Sequence, residues 1–282
     1  MTEFLQQLLN GLSLGAIYAL IALGYTMVYG VLRFINFAHA DVFMIGAFIG
    51  YYLGKLVPEG TWWGGLLILA AAMLGCALLG ILIERLVYRP LRGGPTLNVL
   101  ITAIGVSLLL ENGGQLLFGA TPRTFPQVFP FTRFQFGHLI VSSNQLVVIA
   151  VAAFLIAALQ LIIYRTRMGM AMRAVSLNPR AAQLAGVNIN TVIAFTFALG
   201  SALAGAGGVL YSMNYPSIDP LMGVLPGLKA FTAAILGGIG NIPGAALGGL
   251  ILGGAETFVS GSEYSTYKDA IAFGILIVIL LF

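Results

Sequence analysis

The chain has 282 residues, 59% of them hydrophobic and only 8% charged, with a formal net charge of +4. A soluble domain carries about 25% charged residues, so this composition excludes an ordinary water-soluble domain. The small basic excess gives no footprint for nucleic acid.

A bilayer core about 30 Å thick is crossed by a helix of roughly 20 apolar residues. Charge-free stretches run from Glu3 to Arg33, Glu59 to Glu84, Arg92 to Glu111, Arg133 to Arg165, Arg180 to Asp219 and Lys229 to Glu256. They are continuously apolar, as in LLILAAAMLGCALLGILI, where a membrane β-barrel strand would alternate. The expected fold is all-α: a polytopic transmembrane helical bundle forming one domain over 1–282. Eight spans are expected, at about 8–30, 35–54, 64–86, 96–118, 144–164, 190–212, 242–260 and 265–282. No Lys or Arg precedes Arg33, so the first apolar segment reads as a span and not as a cleavable signal. The lone cysteine, Cys76, rules out an internal disulfide.

Basic residues orient the spans. Arg33, the cluster Arg85, Arg89 and Arg92, and the cluster Arg165, Arg167, Arg173 and Arg180 all fall on one side if the N-terminus is external. The opposite loops carry only Lys55, Arg123 and Arg133. Eight basic residues against three place the richer side in the cytoplasm.

In chain order, the first span carries Tyr18 and Tyr25, which suit a polar lining or ordinary packing. The second opens on INFAHAD. Asn36 and His39, at i and i+3, would share a helix face, with Asp41 beside them. Such groups are costly in lipid and face protein or water, so they read as a gate lining or as a structural cluster fixing the turn with Arg33. Metal binding is not expected, because no second histidine or thiolate lies near. Glu111 and Asn112 late in the fourth span, and Glu256 late in the seventh, are expected at the external interface, where they could line an opening. The external loop 119–143 is rich in Pro and Phe and reads as a cap, a docking surface or a plain loop.

The cytoplasmic loop 165–190 carries the most information. Asn178 is a helix cap, Pro179 the first helical residue and Gly186 the C-terminal stop. Arg180, Ala181, Ala182 and Leu184 lie between, on a short helix with a small apolar face. This is a docking peg for a soluble partner or a membrane-surface helix. Further on, 225–238 is too short for an easy crossing. Pro226 precedes it, and Gly237, Gly238, Gly240 and Pro243 follow. Such a segment is a broken or re-entrant helix beside a transport path, or a short packed helix. Small residues four apart (Gly11 and Gly15, Gly46 and Gly50, Gly200 and Ala204, Gly249 and Gly253) are expected to pack helices closely.

No HExxH, GxSxG or Cys/His metal spacing is present, nor GxxxxGK[ST]. An enzyme is not expected, and any ATP-driven step would need another subunit.

The peg loop resembles the coupling loop of bacterial ABC importer permeases, with Ala181, Ala182 and Gly186 in its Ala-Ala-x-x-x-Gly core. Arg180 replaces the acidic residue that often precedes those alanines, as in the branched-chain amino acid permeases. GLSLGAIYALIALGYTMVYG, INFAHADVFMIGAF, Glu84-Arg85-x3-Arg89-Pro90-Leu91-Arg92 and KAFTAAILGGIGNIPGA are similar to that family in the same order, over nearly the whole chain. The resemblance implies a multi-pass permease of the bacterial inner membrane, working by alternating access. Its partners would be a second permease (homologous or a copy), two cytoplasmic ATPases that use ATP and Mg, and an external substrate-binding protein. Asn178 to Gly186 would couple it to an ATPase. Similar permeases carry urea, short amides or other amino acids. A self-sufficient channel or secondary transporter is the other class, and it would want mid-membrane ion-coupling carboxylates, for which only Asp41 is available.

Overall fold

The computed structural model describes residues 2–137 and 139–281. Among them are eleven α-helices: α1 (Thr2–Leu32), α2 (His39–Gly54), α3 (Trp62–Ile83), α4 (Thr96–Phe118), α5 (Ser143–Arg165), α6 (Arg167–Leu177), α7 (Pro179–Leu184), α8 (Ile189–Asn214), α9 (Val224–Leu236), α10 (Ile242–Ser260) and α11 (Lys268–Leu281). Six are long and apolar enough to cross a membrane: α1, α3 (continued through Leu91), α4, α5, α8 and α10. The expected spans at 35–54 and 265–282 form α2 and α11, of 16 and 14 residues. At 1.5 Å per residue these extend roughly 24 and 21 Å, short of a full crossing by themselves.

α1 is the axis of the bundle. Its residues from Ala16 to Leu23 are all buried, as befits a helix apolar on every side. The glycine ridges pack as the spacing predicts. A Cβ on Gly15 would come 2.8 Å from the Leu250 Cα of α10, and one on Gly46 would come 2.5 Å from the Gly205 Cα of α8. Hydrophobic attraction between helices is weak in lipid, so backbone approach supplies much of the association.

These contacts fix direction. Gly15 meets Gly253, Gly24 meets Gly200, and Gly46 meets Gly205. α1 is therefore antiparallel to α8 and α10, and α2 is parallel to α8. One end of the bundle, the N-terminal end, gathers the start of α1, the end of α8 and Gly261, which abuts Gln7. The other end, the peg end, gathers the turn after α1, α6, α7 and Gly240, which sits beside Gly30.

Two stretches depart from the plainer of their expected forms. The stretch 119–143 is not a plain loop. β1 (Arg123–Thr124) pairs antiparallel with β4 (Ser217–Ile218), and β2 (Arg133–Phe136) forms a hairpin with β3 (Leu139–Ser142). Phe125, Val128 and Phe129 are buried, so the segment folds back as a cap on the N-terminal end. Aromatic side chains large enough to reach the core, alternating with prolines, explain why it does not stay extended. The second departure concerns 225–238. Pro226 lies inside the first turn of α9 and does not precede the helix. The strand β4 before α9 lies at the N-terminal end, and Gly240 after it lies at the peg end. The segment 215–241 thus joins opposite ends of the bundle and does not return to the end it left.

Candidate functional site

The peg helix α7 is built as its sequence dictates. The Asn178 Oδ1 accepts the Ala181 N–H at 3.1 Å, and Pro179 occupies the first turn. Gly186 takes φ +84°, its N–H donating to the Gln183 carbonyl while the Val187 N–H donates to that of Ala182. This pair of bonds is the Schellman C-cap, whose left-handed residue favours glycine. Only Ala182 of the helix is buried, at 5% exposure, whereas Leu184 is 91% and Leu177 81% exposed. Arg180 and Ala181 are also exposed. Two bare leucines thus stand at the far end of the bundle beside arginines.

The base of the peg is braced. The Arg33 guanidinium donates to the Ser176 carbonyl at 3.4 Å, and that of Arg92 donates to Asn190 Oδ1 at 2.7 Å. Arg92 also pairs with the buried Glu84. Glu84 and Tyr88 belong to a five-residue π turn that continues α3 and carries both side chains inward.

The INFAHAD cluster is arranged differently from the expectation. α2 starts at His39, so Asn36 lies in the preceding turn, and the two share no helix face. Asn36 accepts the Tyr88 hydroxyl at 2.6 Å, and Arg33 points away to Ser176. His39 is buried with Nε2 unpaired, its ring edge-on to Tyr25 at 4.8 Å between centroids. Gly24 makes room for it: a Cβ there would come 2.2 Å from Nε2. Asn36 packs on Tyr88 and His39 on Tyr25 at the α1–α2 junction in this geometry.

Asp41 is set apart from them. It is 1% exposed and accepts the Ser107 hydroxyl of α4. Asp41, Ser107 and Glu111 line one cavity of about 240 Å³ with Tyr25, Ile104 and Leu108. Val224 and Leu228 of α9 close its other wall. Asn112 faces elsewhere, exposed and bonded to the Leu108 carbonyl at 2.7 Å.

Glu256 lies toward the N-terminal end, where it lines a cavity, but its carboxylate is held by protein. It is 6% exposed, accepting the Tyr18 hydroxyl at 2.8 Å and the Lys229 ammonium at 2.6 Å. Lys229 also reaches Asp269 at 2.6 Å. This network ties α1, α9, α10 and α11 together. It stands at the floor of a polar cavity of about 460 Å³ at the N-terminal end, lined by Gln7, Asn10, Gln145, Asn214 and Lys268. Sequence reasoning missed Lys229, although a lysine inside an apolar helix is itself a signal of a buried acidic partner. The α9–α10 turn carries Gly238 and Gly240 at φ +82° and +95°, with Gly237 stacked on Gly244 and Pro243 in the first turn of α10. No cluster of three or more metal-ligating side chains occurs among the described residues.

Comparison with known proteins places the sequence in a family. A family model described as branched-chain amino acid transport system / permease component matches residues 7–280. The high-affinity branched-chain amino acid transport system permease protein BraD of Pseudomonas aeruginosa is 45% identical, covering 99% of this chain and 94% of the relative. LivH of Escherichia coli is 43% identical over 99% and 93%, and a probable LivH of Methanocaldococcus jannaschii is 31% identical over 90% and 79%. No solved structure matches the chain. With a family model spanning almost its whole length and relatives this close, the chain belongs to the permease family of branched-chain amino acid transport systems.

Proposed function

We propose that this chain is a permease subunit of an ATP-driven, binding-protein-dependent importer of branched-chain amino acids in the bacterial inner membrane. It forms part of the translocation path and seats α7 in a groove of a cytoplasmic ATPase. The observation that carries this reading is the peg itself. The end of α6 and the end of α7 leave Leu177 and Leu184 bare at the tip of a braced, arginine-rich end, which has the form of a docking element. The partners are two ATPases, which hold the ATP and Mg, a second permease and an external binding protein. The peg end is then cytoplasmic and the N-terminus external, which the basic residues also favour. The path runs on the α4–α9 flank. α4 buries only Val99, Ala103, Val106 and Gly114, and the flank holds Asp41 and Glu111, so lipid alone is a poor neighbour for it and the second permease covers it.

Cysteine cross-linking and uptake test this. Cys76 is buried, so Leu184→Cys offers one reactive thiol. It should cross-link to the ATPase in isolated membranes. Leu184→Asp should lower ATP-driven leucine uptake roughly tenfold or more, the loss typical of a central contact, with unchanged amounts of chain in the membrane. Normal uptake in Leu184→Asp, or ATP-independent flux by this chain alone in liposomes, would refute the reading.

A further inference from the structure

Charge distinguishes two cavities of the bundle that hold carboxylates. In the larger one, Glu256 is already neutralised by Lys229 and bonded by Tyr18. In the smaller one, Asp41 has a neutral partner, the Ser107 hydroxyl. Among the described residues, no Lys, Arg or His pairs with Asp41 or Glu111. Two carboxylates therefore share a space whose other walls are apolar: Tyr25, Phe37, Ile104 and Leu108. A carboxylate so enclosed is stable with a cation or a proton on it. The cation must be small and attached to an apolar body, because the walls offer little else.

We infer that Asp41, oriented by Ser107, together with Glu111 at the mouth, forms a half-site that receives the ammonium group of an aliphatic amino acid. The substrate side chain lies against Tyr25, Ile104 and Leu108. This rests on the proposed function, and it adds a recognition step within the permease, separate from any selection by the binding protein. Ser107 is a positioning residue: it holds one carboxylate oxygen of Asp41 and leaves the other for the ligand.

The test uses the intact assembly of permeases and ATPases, purified without binding protein. Bound radiolabelled leucine is displaced with isopentylamine, which keeps the ammonium, or with 4-methylpentanoate, which keeps only the carboxylate. Isopentylamine should displace leucine and the acid should not. Asp41→Asn should weaken leucine and amine binding by about tenfold or more, the range of a hydrogen bond to a charged group. Asp41→Glu should restore part of it, and Ser107→Ala should weaken it by a smaller factor. Should Asp41→Asn fail to assemble, Ser107→Ala and Glu111→Gln carry the same comparison. Wild-type leucine affinity in Asp41→Asn, equal displacement by the acid, or no leucine binding in an assembly that transports leucine would each overturn the half-site. Absence of ATP-dependent uptake by the wild-type assembly with its binding protein would instead overturn the permease reading.

Discussion

Replacing Lys229 with Met removes the cation from the core of the α1–α9–α10–α11 junction at little change in volume. Lys229 is 5% exposed and contacts Glu256 and Asp269, each at 2.6 Å. Glu256 is equally buried, so the substitution strands a carboxylate with the Tyr18 hydroxyl as its remaining side-chain partner. Breaking a buried pair in this way costs about 3–5 kcal/mol. Asp269 is 41% exposed on its side chain, so solvent takes over its share, and the loss should lie near the low end, about 3 kcal/mol. Glu256→Gln should cost less, because Lys229 keeps Asp269 and the new amide still accepts from Tyr18. The double variant Lys229→Met/Glu256→Met should recover much of the loss, since an apolar pair removes both desolvation terms. Equilibrium unfolding in detergent, followed by far-ultraviolet circular dichroism, measures all three. If Lys229→Met unfolds with wild-type stability, or if the double variant is no more stable than Lys229→Met alone, the network does not hold the junction as argued.

Three further outcomes follow from the packing. Gly46→Leu should separate α2 from α8, because even a Cβ there comes 2.5 Å from the Gly205 Cα; a loss of at least about 1–3 kcal/mol is expected in the same unfolding assay. Tyr88→Phe leaves the buried Asn36 carbonyl without its 2.6 Å donor, a cost of about 1–3 kcal/mol, whereas Tyr29→Phe, which removes a hydroxyl that bonds no side chain among the described residues, should be near neutral. Gly186→Ala places a Cβ at φ +84° with no atom nearby to clash, so it should cost only the left-handed backbone term of about 1–2 kcal/mol. Its effect should appear as faster proteolysis of the 165–190 loop and not as loss of the bundle.

The sequence speaks most clearly where a local rule decides the structure. Asn178, Pro179 and Gly186 each act within one turn of their own backbone, so the peg helix could be bounded residue by residue. The glycine ridges were legible because a helix repeats on one face every four residues. Partners across the bundle were not. Asn36 and His39 look like one face only while the helix is assumed to begin before them; the true start at His39 sends Asn36 to Tyr88, 52 positions away. Glu256 was expected near the helix end, but not the Lys229 that α9 brings against it, from a segment whose path depended on tertiary contacts. A cap at 119–143 was among the forms the sequence allowed, but its strand pairing was hidden, since β1 finds its partner beyond α8. Ser107 carried no signal of its own, being one hydroxyl in an apolar helix.

These failures share a cause, and it helps to sort the polar groups. A buried polar residue in a membrane bundle is stable when another side chain answers it. Glu256 is answered by a lysine and a tyrosine, Asn36 by Tyr88, and Glu84 by Arg92. The Glu84–Arg92 pair is local, with a separation of 8, whereas the others span 27, 52 and 238 positions; each serves the bundle as a fixed joint. Asp41 is as buried as any of them, yet a neutral hydroxyl is its partner and the other acid in its cavity repels it. A joint that leaves a charge unanswered would be selected against if holding helices were its only task, because Asn at the same place would bond Ser107 without the desolvation cost. The carboxylate is the chemically expensive choice, and what it offers in return is attraction for a cation that the chain itself does not supply.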